Sequence, residues 1–166
     1  DLCRNGSETT GYMDNNNFDI VVIGSGVIGH SIAFRLKHDD PNLKIAVLGD
    51  PVNSLQASRA AAGMLAPFCE CDKADRFFRF CRDSLDKFPL FLAELVSVSE
   101  VPVHFSPAGS LMPSLNYRGT WEERKAFFIL EDIPHEIWSM DKVRQKASYL
   151  AEDCGEVMWV GEGQVN

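Results

Sequence analysis

FDIVVIGSGVIGHSIAFRLKHDDPNLKIAVLGD, residues Phe18 to Asp50, decides the fold. Asp19 to Ile23 is a nearly continuous apolar run, as expected for a parallel strand covered on both faces. Gly24, Gly26 and Gly29 follow at the G-x-G-x-x-G spacing, with Ser25, Val27 and Ile28 completing the turn. In such a turn the first glycine allows the sharp bend, and the second lets the backbone approach a pyrophosphate. The third lets the helix pack on the strand. Ile28, Ile32, Ala33 and Leu36 give the next segment an apolar helical face, which ends before Pro41. A second strand, Lys44 to Leu48, follows at once, and Asp50 stands at its end. Asp50 comes roughly 20 residues after Gly29, the spacing at which a carboxylate meets ribose hydroxyls. The turn contains no lysine, which excludes a P-loop for nucleoside triphosphates. Strand, glycine turn, helix and strand together predict a dinucleotide-binding half-site.

The bulk composition narrows the class further. A chain of 166 residues with 45% hydrophobic content supports a packed core rather than a disordered chain. Net charge is −8 and the basic residues form no cluster, so neither nucleic acid nor an anionic membrane surface is expected as a partner. No apolar run reaches transmembrane length and no secretory h-region stands at the N-terminus, which predicts a cytoplasmic location. Cys3, Cys69, Cys71, Cys81 and Cys154 show no zinc-ligand spacing and are expected to be reduced thiols, with no metal site.

Residues 1–17 are polar and aperiodic and read as an N-terminal extension. Pro51 to Phe68, beyond the second strand, begins as loop and becomes a run of small residues ending at Gly63. Bulky side chains are excluded there, so either something lies close to the backbone or a small-residue helix packs tightly. GSGVIG at 24–29 followed by ASRAAAGMLAP at 57–67 resembles the FAD-dependent D-amino-acid oxidase superfamily, with the nearest likeness to the glycine oxidases and related small-amine oxidases. The resemblance implies a Rossmann-like FAD-binding domain of α/β class, followed by the beginning of an α+β substrate domain with mixed and antiparallel strands. It implies that Ala57 and Ser58 lie near the pyrophosphate and ribityl chain, and that Ala62, Gly63 and Met64 lie against the flavin ring. Glycine oxidases carry a glutamate at the end of the second strand where this chain has Gly49, so the ribose contact falls to the next residue, Asp50.

Downstream, Asp72 to Glu100 has helical apolar spacing that Pro89 is expected to kink or split. Phe77, Phe78 and Phe80 read as core rather than a cofactor wall, and Arg76, Arg79 and Arg82 as a solvated face. Gly109, Ser110 and Leu111 resemble the strand that opens the family's substrate domain, and His104 before it reads as structural. Thr120 to Leu130 predicts a helix capped by Thr120, Pro134 to Met140 a strand, Asp141 to about Ala147 a helix, and Glu156 to Asn166 a strand and turn. The division expected is FAD-binding domain over 18–100 and substrate domain from 101 to 166. The resemblance covers only the N-terminal half of a family member, so a second polypeptide carrying the C-terminal half is expected to supply the substrate pocket. No catalytic residue is assigned in this half. The function implied is oxidation of a small amine or amino acid, against two alternatives: a flavin-binding accessory or maturation subunit, and a nicotinamide dehydrogenase, which shares the glycine turn but does not predict the A-A-G-M segment.

Overall fold

A computed structural model describes residues 17–49, 57–115 and 117–165. Cys3, the rest of the N-terminal extension and Asp50 lie outside the described residues. The fold is mixed α/β, and the chain divides into two compact units, Asp1–Ala61 and Ala62–Asn166.

In the first unit, strand β1 (Ile20–Ile23) leads through the glycine turn into helix α1 (Val27–Asp39), and then strand β2 (Ile45–Leu48) and a single turn, α2 (Ala57–Ala60). β1 and β2 pair in parallel from Ile20↔Ile45 to Ile23↔Leu48. Their register is fixed at one end by Asp19, whose carboxylate accepts from Lys44 N–H at 2.8 Å. α1 places Lys37 and His38 in its last turn, where positive charge suits the helix dipole. Lys37 Nζ also donates to the carbonyls of Pro41 and Leu43, at 2.6 and 2.8 Å, tying down the bend into β2. α1 buries no residue, and Ile23 and Ile28 are 87% and 74% exposed.

The second unit contains two antiparallel sheets. β3 (Met64–Leu65), β8 (Gly163–Val165) and β4 (Phe105–Ser106) form one, in that order, and β5 (Ser110–Pro113), β7 (Val157–Val160) and β6 (His135–Trp138) the other. Between them in sequence lie helices α3 (Pro67–Glu70), α4 (Arg76–Val98), α5 (Trp121–Leu130) and α6 (Met140–Lys146). β7 is the most buried strand of this unit, and the two-residue period of its side chains divides the core. Met158 and Val160 pack with Phe68, Phe78, Phe128 and Ile133, while Val157 packs on the other face with Val143 and Cys154.

α4 runs unbroken through Pro89. The proline forfeits one backbone bond, but the helix is fastened on both sides of it: Asp75 accepts from Phe78 N–H at 2.9 Å, and the apolar side chains 85, 88, 91 and 92 are all partly buried. Phe78 is fully buried as core, whereas Phe77 and Phe80 are 66% and 68% exposed and line an apolar groove with Pro67, Cys81 and Phe88. Arg82 departs from the solvated row: its guanidinium donates to Glu131 O at 2.7 Å. α6 is capped by Ser139, whose hydroxyl accepts from Lys142 N–H at 3.3 Å; Asp141, the expected cap, sits one position inside the helix. Thr120 is the N-cap of α5, as its place before Glu122 and Glu123 predicts. Among the described residues no helix is long and apolar enough to cross a membrane, and Cys69, Cys71, Cys81 and Cys154 are free.

Two buried charges bracket α3. Glu162, 4% exposed, accepts through Oε2 from Phe68 N–H at 3.1 Å and Cys69 N–H at 3.3 Å at the helix N-terminus. Arg124, 2% exposed, donates to the carbonyls of Phe68, Cys69 and Cys71 at 2.5, 3.0 and 2.6 Å, and to the Asp72 carboxylate at 3.2 Å. The rings of Tyr117, Phe127 and Phe128 lie within 5.8 Å of its guanidinium. Arg124→Met keeps the volume but leaves buried carbonyls without donors, at about 1–3 kcal/mol each. Urea unfolding is expected to show a loss of at least about 3 kcal/mol; a variant within experimental error of the parent would mean the guanidinium contributes nothing net. Burial, and after it the Glu162 carboxylate, push the Cys69 thiol well above its ordinary range. Cys69 is therefore expected to resist iodoacetamide at neutral pH in the folded protein and to react once denatured. Peptide mass mapping reads this directly, and native labelling of Cys69 at the denatured rate is the contrary result.

Candidate dinucleotide-binding site

The glycine turn joins the end of β1 to the start of α1, and each glycine is there for a different physical reason. Gly24 has φ +114°, a backbone that side chains rarely adopt, and its N–H donates to Leu48 O at 2.7 Å, locking the turn to β2. A Cβ at Gly29 would run into the carbonyl oxygen of Gly24, so this glycine lets the helix close against the turn. Gly26 is bound by neither constraint. It is the N-cap of α1 at φ −79°, and a Cβ there would meet only the Ser58 hydroxyl, at an ordinary 3.7 Å. The chain's own packing does not require glycine at 26.

Ser58 connects the two motifs that the sequence separates. α2 brings its hydroxyl over the N-terminus of α1, where it accepts from Val27 N–H at 3.3 Å. Gly49 packs against Ser25, since a Cβ at 49 would strike the Ser25 side chain. A groove of about 250 Å³ opens beside the turn, lined by Ile23, Gly24, Gly26, Ile28, Gly29 and Ser58 among others. The first turn of α1 carries no acidic residue, so the positive end of its dipole faces no carboxylate of its own. His30 was not singled out by the sequence; its Nδ1 lies 3.0 Å from Gly26 O, a contact that ties the helix to the turn. Backbone donors, a dipole end and space above Gly26 are what a pyrophosphate needs, and in this respect the residues fit FAD.

Ala62, Gly63 and Met64 belong to the second unit. Gly63 has φ +74°, and a Cβ there would collide with the carbonyl oxygen of Val165. Its own carbonyl accepts from Val165 N–H at 2.9 Å, and Ala62 O accepts from the Gln164 amide at 3.4 Å. Met64 is 63% exposed and pairs with Gln164. Residues 62–65 are thus an extended edge laid along β8, and Ala57–Ala60 is a short helical turn. Ala57 lies with Ser58 in that turn and is exposed. His104 stands exposed just ahead of β4.

The chain is 37% identical over 94 residues to a glycine oxidase of Bacillus licheniformis, which covers 57% of this chain and 25% of that protein. It is 34% identical over 152 residues to a bifunctional protein ThiO/ThiG of Trichormus variabilis, covering 89% of this chain and 22% of that one. In three dimensions it superposes on the glycine oxidase of Geobacillus kaustophilus with a TM-score of 0.74 at 24% identity, over 89% of this chain and 40% of that one. The chain therefore spans less than half the length of each of these relatives. The family described as FAD dependent oxidoreductase (DAO) matches residues 19–166. The chain belongs to the DAO family of FAD-dependent oxidoreductases.

Proposed function

We propose that this chain supplies the dinucleotide-binding part of an FAD-dependent oxidase acting on a small amine or amino acid. The single observation that carries the reading is Gly26, a glycine that neither its backbone angle nor its own surroundings demand. When bound, FAD supplies two-electron oxidation of the C–N bond, with dioxygen as final acceptor, hydrogen peroxide as product, and the imine hydrolysing to carbonyl and ammonia. The N–H groups at the start of α1, with Gly24, Ser25, Gly26, Val27, Ile28 and Gly29, hold the pyrophosphate. Asp50 takes the ribose hydroxyls beside Gly49. Ala57 and Ser58 flank the pyrophosphate and ribityl chain, and Ala62, Gly63 and Met64 run along the ring. Residues 18–100 form the first part of the FAD domain and 101–166 open the substrate domain. The substrate-binding residues lie on sequence outside these 166 residues. The exposed Ile23 and Ile28, and the 40% coverage of the Geobacillus structure, support that division.

The full-length protein is expected to purify yellow, with flavin absorption bands, and to release peroxide from glycine, sarcosine or a D-amino acid. A colourless protein that takes up no added FAD contradicts the reading. Within that protein the glycines separate. Gly26→Ala is expected to fold as the parent does and to bind FAD at least about tenfold more weakly, the size of one lost charge-assisted hydrogen bond. Gly29→Ala is expected to lower stability with or without FAD, because its Cβ meets the Gly24 carbonyl. Equal FAD affinity in Gly26→Ala and the parent would remove the pyrophosphate from position 26.

A further inference from the structure

Gly49 is exposed, and its φ lies outside the left-handed region that favours glycine. What calls for glycine there is Ser25. The Gly24 N–H bond to Leu48 O, at 2.7 Å, lays the glycine turn across the end of β2, so that residue 25 stands over residue 49. A Cβ at 49 would lie 2.8 Å from Ser25 N and nearer still to Ser25 Cβ and Oγ, and these three atoms are its nearest neighbours. The half-buried Ser25 side chain fills the space into which a side chain at 49 would grow.

That space has a chemical meaning in a dinucleotide site. The acid that takes the adenosine ribose comes from the end of the second strand, about 20 residues after the turn. In this chain position 49 offers no side chain, and a hydroxyl reaches the place from the turn instead. A serine hydroxyl has one donor and two acceptor sites, so it can serve a ribose hydroxyl and a protein partner together.

We propose that the Ser25 hydroxyl contacts the adenosine ribose of FAD, alongside the Asp50 contact proposed above. Ser25 then meets the cofactor twice, with its N–H toward the pyrophosphate and its Oγ toward the ribose. The inference rests on the flavin reading above and on the packing of Ser25 over Gly49.

The test uses the full-length protein, freed of flavin and titrated with FAD and with FAD analogues whose adenosine ribose is 2′-deoxy or 3′-deoxy. Ser25→Ala keeps the Cβ against Gly49 and removes only the hydroxyl. It is expected to melt with the parent in the absence of flavin and to bind FAD about three- to tenfold more weakly, the size of one neutral hydrogen bond. With one of the two deoxy analogues the difference between variant and parent is expected to vanish, because both partners of the bond are then gone. Ser25→Cys keeps the volume with a poor hydrogen-bonding group, and serves with the same expectation where the alanine variant does not fold. Equal FAD affinity in variant and parent, or a loss that persists in full with both analogues, would overturn the inference and leave the flavin reading intact. A parent protein that binds no FAD would overturn both.

Discussion

The second unit depends on how one turn of helix is held. A four-residue helix has almost no internal hydrogen bonds, and its nucleation is unfavourable by itself. α3 persists because its two ends, each a row of unpaired backbone groups, face buried charges of the right sign. Glu162 takes the N–H end and Arg124 the carbonyl end. The two charges compensate one another through the peptide dipoles between them. Phe68, which both of them grip by its backbone, is also a member of the main core cluster with Phe78 and Phe128, so polar and apolar packing meet at one residue.

The first unit is organised by sterics rather than charge. Its glycine turn is locked to β2 through the Gly24 N–H bond to Leu48, and the helix is seated by the absence of a Cβ at 29. With those constraints met by 24 and 29, the smallness of residue 26 is left over. That open space above residue 26 is what the proposed pyrophosphate contact rests on.

How much was legible in the sequence follows from distance along it. The βαβ unit was readable because its cause is local: an apolar run, three glycines and a helical face within 33 residues of sequence, Phe18 to Asp50. The helix over Thr120 to Leu130 was readable for the same reason, from a cap and two acids. Glu162 and Arg124 were not. Glu162 meets Phe68 at a separation of 94 residues and Arg124 meets it at 56, and nothing in GEGQV or WEERK announces such a partner. Arg82 was misjudged as solvated because helical periodicity places a residue on a face without saying that Glu131 O lies opposite it. The cap of α6 fell to Ser139 instead of Asp141, a two-residue choice between two good capping types.

The order β3-β8-β4 has a consequence for how the protein is made. β3 and β4 each pair with β8 and have no ladder to one another. During synthesis both strands leave the ribosome long before their common neighbour, since Gln164 follows Ala62 by 102 residues. Until then 62–65 has no sheet to join, and α3 lacks the carboxylate that caps it. Closing a loop of that length is slow compared with forming the local βαβ unit. The nascent chain is thus asymmetric in time: the glycine turn is assembled early from neighbours in sequence, and the small-residue strand only when the last of these residues arrives.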